Sequence, residues 1–278
     1  MKTAIYTAFA LVAFAFNSIL CRMALRTGEI DTMGFTVIRL ASGAIMLAIL
    51  ASAFSKSKKP LKSGHWLSAF FLFAYAICFS FAYLGLTAGA GALILFGAVQ
   101  LTMVGLSWLK GERPTLVELI GLAAALGGLL YLVFPGLNSP PLYSSLLMAA
   151  AGIAWGAYTL RGKGVGDPLA ETTGNFVRSV PMILICAVPV FSQVHLSSRG
   201  ALLAVLSGAV ASGIGYSVWY AALRNLTSTR AAALQLSVPV IAALGGVLLL
   251  SEAATLRLWV SAAMILGGIG LVIAGRSK

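Results

Sequence analysis

The stretch AALQLSVPVIAALGGVLLLSE, residues 232–252, is almost wholly apolar, yet it sets Gln235, Ser237 and Pro239 among residues suited to hydrocarbon. A run of this length and character reads as a helix crossing a bilayer, whose apolar core takes about 20 residues of helix. A proline inside a helix has no N–H to donate and crowds the carbonyl four residues earlier. Pro239 is therefore expected to free the carbonyl of Gln235 near mid-membrane. Such a break is tolerated where a neighbouring helix, a side chain, water or a transported solute satisfies the freed group. Two readings follow: a static kink that shapes the bundle, or a hinge at Pro239 with Gln235 facing a pathway.

The rest of the chain has the same character. It has 278 residues, 60% hydrophobic and only 9% charged, with a mean hydropathy of +0.98, whereas a soluble domain carries roughly 25% charged residues. Ten apolar segments of membrane-spanning length fall at 3–24, 33–54, 65–86, 89–109, 115–134, 142–161, 169–191, 200–223, 229–250 and 255–275. The expected fold class is an all-α integral membrane protein, one membrane domain over residues 1–278. Lys2 ahead of the apolar run 4–16 has the look of a signal peptide. The run continues past Asn17 to Leu25 without a small-residue cleavage site, so it reads as the first spanning helix. Cys21, Cys78 and Cys186 lie in or beside these segments and read as small packing residues.

The net charge of +12 does not signal a nucleic-acid partner, because nearly all of it sits at helix ends. Thirteen lysines and arginines fall on the side that carries the termini and four on the opposite side. Positive residues concentrate on the cytoplasmic side of membrane proteins, so both termini are expected in the cytoplasm, with the chain in the inner (plasma) membrane of a bacterium.

Sliding the chain against itself by 139 or 140 residues lays AFNSILCR (15–22) over AWGAYTLR (154–161), Arg39 over Arg178, GERPT (111–115) over SEAAT (251–255), and LGG (126–128) over LGG (266–268). Each repeat, 1–137 and 138–278, holds five segments, so the second must enter the membrane from the opposite side. Inverted repeats suit alternating access to a site between them.

The string WYAALRNLTSTRAAALQLSVPVIAALGGVLLLSE (219–252) closes the second repeat and resembles the drug/metabolite transporter superfamily, EamA-type. Tyr220, Ala221, Leu223, Ala231, Ala233, Pro239 and Glu252 stand at the family's spacing; the first repeat departs from it, with Val99 beside Gln100 where the proline would align. The resemblance implies ten helices in two five-helix repeats. The aromatic-rich pattern is most similar to YddG-type aromatic amino-acid exporters.

Polar side chains at membrane depth are costly and mark functional sites by default. Asn17, Gln100, Asn175 and Gln235 are such residues, each open to a second reading as a hydrogen bond between helices. Aromatic residues cluster at helical spacing: Tyr75, Phe79 and Tyr83; Trp155 and Tyr158, with Phe16 the repeat mate of Trp155; and Tyr216, Trp219 and Tyr220. They read as a pocket or as an interfacial belt, and the belt suits Trp66, Trp108 and Trp259 at segment ends. Arg39 and Arg178 read as snorkelling residues, or as a gate or an attractor of a substrate carboxylate. The expected substrate contacts are Phe16, Asn17, Phe79, Tyr83, Gln100, Trp155, Tyr158, Trp219, Tyr220 and Gln235, with Pro239, Arg39 and Arg178 as hinge or gate.

None of the seven carboxylates lies centrally in a segment of the presumed pocket. A cation exporter of the small multidrug type would need one in its first helix, where Asn17 stands instead, and phosphorylated sugars would need several embedded bases. Amino acids with aromatic or other apolar side chains fit such a pocket, and so does another neutral drug or metabolite. A non-transporting partner or scaffold subunit is the reading from another class. His65 and His195 stand isolated in loops, so no catalytic site, metal or cofactor is expected. Small residues at spacing four (Ala123 and Gly127, Ala124 and Gly128, Ala263 and Gly267, Gly270 and Ala274) line helices five and ten. They suit internal packing or a weak homodimer.

The orientation is tested by single cysteines in the loop 56–62 and at the C-terminus. Both are expected to resist membrane-impermeant thiol reagents in intact cells, and labelling of both would reverse the topology.

Overall fold

The computed structural model describes residues 2–57, 60–109, 115–134, 136, 139–162, 165–189, 195–223, 234–235 and 237–276. Ten helices are seen among them: α1 (Lys2–Arg26), α2 (Thr32–Phe54), α3 (Trp66–Ala82), α4 (Ala88–Leu109), α5 (Leu116–Val133), α6 (Leu142–Gly162), α7 (Pro168–Ala187), α8 (198–223), α9 (Ser237–Leu250) and α10 (Leu256–Arg276). A helix satisfies its own backbone, which is why hydrocarbon admits it. Six of them are long and apolar enough to cross a bilayer by themselves, and α3 and α9 are shorter apolar helices.

The helix starts follow from local chemistry. Asp31, Thr115, Asp167 and Ser197 each accept a backbone N–H from the first turn of the helix they precede, satisfying donors that a helix leaves free. Thr115 and Glu118 form a reciprocal capping box. Helix α3 stops at Ala82, four residues short of the expected end, because the chain turns through Gly85 N–H to the Ala82 carbonyl. Helix α8 is not uniform: a π-helical stretch, Leu206–Ile214, separates Ser198–Val205 from Gly215–Leu223. A π segment widens the helix and is frequent at functional sites.

Helices α1, α2, α3, α4, α6, α7, α8 and α9 pack around one core, while α5 and α10 pair on the flank of α4. Residues such as Ile45, Ile49, Leu130 and Leu248 stand exposed on the outside, as lipid-facing side chains do. The α5–α10 pair meets through glycines: a Cβ on Gly121 would lie 2.5 Å from the Gly268 carbonyl oxygen, and one on Gly268 the same distance from that of Gly121. Gly128 abuts Met264 and Ile265, whereas Gly267 and Gly270 have open space beside them. Of the small residues noted in the sequence, one face is thus consumed inside the protein.

The two halves also clasp each other. The segment after α2 lies against the start of α7, with Ser55 Oγ donating to Asp167 Oδ2 at 2.6 Å. The segment before α8 lies against the start of α2, with Ser197 Oγ donating to Glu29 Oε2 at 2.5 Å and an antiparallel bridge between Ile30 and Leu196. These contacts fall on opposite faces of the bundle, as inverted repeats require.

Gly121→Leu is expected to destabilise the protein by about 1–3 kcal/mol through overpacking, read as a lower melting temperature in detergent. Gly267→Leu, on the open face, should leave it unchanged or slightly raised, since leucine favours helix over glycine.

Candidate functional site

Helices α1, α3, α4, α6 and α8 surround a cavity near the middle of the bundle, of about 20 Å³, roughly the space one water needs. Its polar wall is Asn17 and Ser18; its aromatic wall is Phe14, Tyr75, Phe79, Phe96, Trp155 and Tyr216. The rings form one continuous set. Trp155 lies 4.9 Å from both Tyr75 and Tyr216 and 5.4 Å from Tyr158. Phe79 lies 5.3 Å from Tyr75 and 4.8 Å from Tyr83, and Phe14 lies 5.6 Å from Tyr216. The i, i+4, i+8 spacing of Tyr75, Phe79 and Tyr83 stacks them on one helix face, so α3 alone supplies a ladder from the cavity towards the face opposite the termini. Asn17 Nδ2 donates to the Tyr75 hydroxyl at 3.2 Å, and Asn17 Oδ1 accepts from Ser207 Oγ, on the π stretch, at 2.6 Å. Asn17 therefore both lines the cavity and bonds α1 to α3 and α8. No Asp or Glu is among the described residues that line it.

Arg39 stands behind the Tyr75 and Phe79 rings. Its Nη2 donates to the Tyr75 hydroxyl at 3.0 Å, and its guanidinium carbon lies 4.7 Å from the Phe79 ring centre and 5.2 Å from that of Tyr75. Only 2% of the residue is exposed, so the snorkelling reading is corrected. The cause is helical register: Thr32, Phe35, Thr36, Arg39, Leu40 and Gly43 share the buried face of α2, which points Arg39 inward whatever its charge. Its repeat mate Arg178 turns the other way, towards the terminal face, and donates to the Lys62 carbonyl at 2.9 Å and to those of Ser63 and Gly174.

On the face opposite the termini a second arginine closes the bundle. Arg22 Nε pairs with Glu252 Oε1 at 3.1 Å, with side chains 14% and 6% exposed. Arg22 Nη1 also donates to the carbonyls of Tyr83 and Leu84 at 2.9 and 3.1 Å, at the end of α3. Glu252 Oε2 accepts the N–H of Ala88 at 2.8 Å, the first residue of α4. Each charge meets the helix end whose dipole it complements. Ser251, with φ 51°, turns the chain so that the Glu252 N–H closes on the Gly246 carbonyl at 3.1 Å. This latch joins α1, the α3–α4 corner and the α9–α10 corner directly beyond Tyr83.

The terminal face has a shallow pocket lined by Ser68, Tyr158, Arg161, Glu171, Asn175 and Tyr220, among others. Arg161, the repeat mate of Arg22, is exposed there and donates to Ser68 Oγ at 3.1 Å. Glu112, the mate of Glu252, lies outside the described residues. The loop before α3 is tied down: Gly64 N–H donates to Glu171 at 3.0 Å and His65 N–H to Asn175 at 2.9 Å. Burial opposes the charge of Asp167, but hydrogen bonds from Ser55 and the backbone of Ala170, Ser57 and Lys56 outweigh it and hold the carboxyl below its ordinary range.

Of the residues singled out in the sequence, Asn17, Phe79 and Trp155 line the central cavity, while Tyr158 and Tyr220 line the terminal-face pocket. Tyr83 lies beneath the latch, and Trp219 touches Phe14 at 5.7 Å. Gln100 is buried on α4 away from both pockets. Phe16 is corrected: it is 41% exposed on the outside of α1, and Phe14 takes its expected place because two residues rotate a helix side chain by more than half a turn. Pro239 is buried in the first described turn of α9, and Gln235 is half-buried and lines neither pocket. Residues 229–233, expected in the same helix, lie outside the described residues. Tyr75, Tyr216, Ser207 and the Arg22–Glu252 latch were not among the expected contacts. The aromatic spacing points to the two tyrosines, but pairing across 230 residues leaves no local signal.

The EamA-like transporter family matches the chain twice, over residues 1–134 and 142–274. The chain is 49% identical over 275 residues to an uncharacterized protein of Pseudomonas aeruginosa, covering 99% of this chain and 96% of that one. It is 26% identical over 260 residues, 86% of each chain, to a probable amino-acid metabolite efflux pump of Escherichia coli. One solved crystal structure superposes with a TM-score of 0.70 at 19% identity over 97% of both chains, a likeness of fold. The two family matches divide the chain between residues 134 and 142, where the sequence repeat also divides it. Matched along nearly its whole length in this way, the chain belongs to the EamA-like transporter family.

Proposed function

We propose that this transporter exports amino acids with aromatic or other apolar side chains from the cytoplasm by alternating access. The observation that carries the reading is the central cavity: rings for an apolar body, Asn17 and Tyr75 for polar ends, and no lining carboxylate to hold a cation. The probable amino-acid metabolite efflux pump among the relatives supports the same substrate class. The termini face the cytoplasm in this reading, so the latch is on the outside.

A cavity of about 20 Å³ admits no amino acid until helices part. Two barriers flank it. Outward, Tyr83 and the Arg22–Glu252 latch close the path; inward, Trp155 and Tyr158 stand between the cavity and the pocket at Arg161. Alternating access releases one barrier at a time, and a ligand shifts the balance by its difference in affinity for the two states. Arg178, by holding the loop before α3, and Pro239, at the start of α9, belong to the moving parts. With no carboxylate among the described residues of the cavity wall, the cycle in this reading runs without obligatory proton exchange.

Purified protein in liposomes is expected to pass tryptophan and phenylalanine down their gradients without an imposed pH gradient. Trp155→Ala should slow tryptophan flux several-fold more than alanine flux, because the larger solute loses more contact area. Equal loss for both solutes would indicate damage to the fold, and flux only of unrelated neutral solutes would move the assignment to another metabolite.

Removing one partner of the latch leaves the other charge poorly paired, at a cost of about 1–3 kcal/mol. In a background lacking Cys21, Cys78 and Cys186, a cysteine at Ser18 should react faster with an impermeant thiol reagent from outside when Glu252→Gln is added. An unchanged rate would show that the latch does not close the path.

A further inference from the structure

The fold leaves the surroundings of Arg39 incomplete. An arginine remains protonated in proteins, and a buried charge is ordinarily paired because its desolvation is so costly. Arg39 is 2% exposed, and its Nη1 has no hydrogen-bond partner among the described residues. The ionisable groups acting on it are Tyr75, Tyr216 and Cys21, none of which is ordinarily anionic at neutral pH. The described carboxylates are held elsewhere: Glu252 by Arg22, Glu29 by Ser197, Asp31 by Gly34 and His195, and Asp167 and Glu171 by the segment 55–64. Glu118 is bound into its capping box.

Tyr75 transmits this imbalance to the cavity. Its hydroxyl oxygen receives N–H groups from both Arg39 and Asn17, which occupies its lone pairs, and its hydroxyl also bonds that of Tyr216, so its own proton is shared between Tyr216 and a solute in the cavity. Tyr75 and Asn17 line the cavity, so one corner of an aromatic chamber offers N–H and O–H donors backed by an uncompensated cation. In a low-dielectric interior such a corner favours an anion strongly, and a carboxylate matches the guanidinium geometrically.

We infer that the missing counter-ion of Arg39 is a carboxylate of the transported solute, docked at the Arg39–Tyr75–Asn17 corner with its apolar body against Phe79 and Trp155. The inference rests on the central cavity being the substrate site, and adds that the carboxylate, not the amine, is the required group. Arg39 reaches the solute directly through Nη1 as the cavity opens, with Tyr75 as the second donor.

The test is titration of the purified full-length protein in detergent, by calorimetry, with L-phenylalanine, 3-phenylpropanoate and phenethylamine. Phenylalanine and 3-phenylpropanoate should bind, and phenethylamine at least about tenfold more weakly, the worth of one charge-assisted hydrogen bond. Arg39→Gln should weaken both carboxylates by about tenfold or more, while Arg39→Lys recovers part of the affinity; the comparison of ligands on the parent protein needs no variant to fold. Phenethylamine binding as tightly as phenylalanine would overturn the carboxylate anchor while leaving an aromatic-solute site in place. If no aromatic ligand binds, leucine and butyrate separate the two ideas. Arg39-dependent binding of either keeps the anchor and discards the aromatic preference, and binding of no carboxylate overturns the anchor.

Discussion

Polar groups in hydrocarbon must find their partners inside the protein, and every other feature of this bundle follows from that demand. Backbone groups meet it by forming helices. The acids meet it at helix starts, where unpaired N–H groups and the dipole favour negative charge. Asp31 and Asp167 cap α2 and α7, Glu118 caps α5, and Glu252 takes the first N–H of α4. Arg22 complements them at the carbonyl end of α3. With the described acids consumed near the ends of helices, the interior is left to rings, hydroxyls, amides and Arg39.

That division of labour also explains how the two faces are closed. The clasps, Ser55 with Asp167 and Ser197 with Glu29, each bind a loop of one repeat to a helix start of the other. They can exchange partners with water at the membrane surface at little cost. The Arg22–Glu252 latch is different in kind, since both side chains are nearly shut off from solvent and an ion pair in that setting is costly to leave half-made. In the proposed rocking of one repeat against the other, the clasps are the contacts that exchange and the latch is the one that must break.

The repeats share a backbone plan but not their side-chain roles. Arg39 is enclosed by rings while Arg178 holds a loop. Phe16 faces outward while Trp155 reaches the cavity, and Asn17 has Gly156 as its counterpart, which lets Thr102 of α4 approach α6 within 3.1 Å of a would-be Cβ. Duplication supplies two equivalent scaffolds. The cavity is built from their differences, and its polar wall, Asn17 and Ser18, comes from the first repeat.

The sequence by itself determined the helix number, because a spanning helix is legible from hydropathy within about twenty neighbouring residues, and the inverted duplication, because five spanning helices in each half reverse the entry of the second. It also set the positions of the seven carboxylates, none of them central in a segment expected to form the pocket. Which face a helix turns inward is set by contacts between segments far apart in the chain. Only tertiary structure could decide that Arg39 is enclosed and Phe16 is not, that Arg22 meets Glu252, and that α8 widens into a π turn beside Asn17. Two arginines in matching positions of matching repeats are indistinguishable as letters. Their different fates come from the glycine face and rings that surround α2 and the loop that lies over α7, since a charge is stabilised by the groups around it and not by its place in the chain.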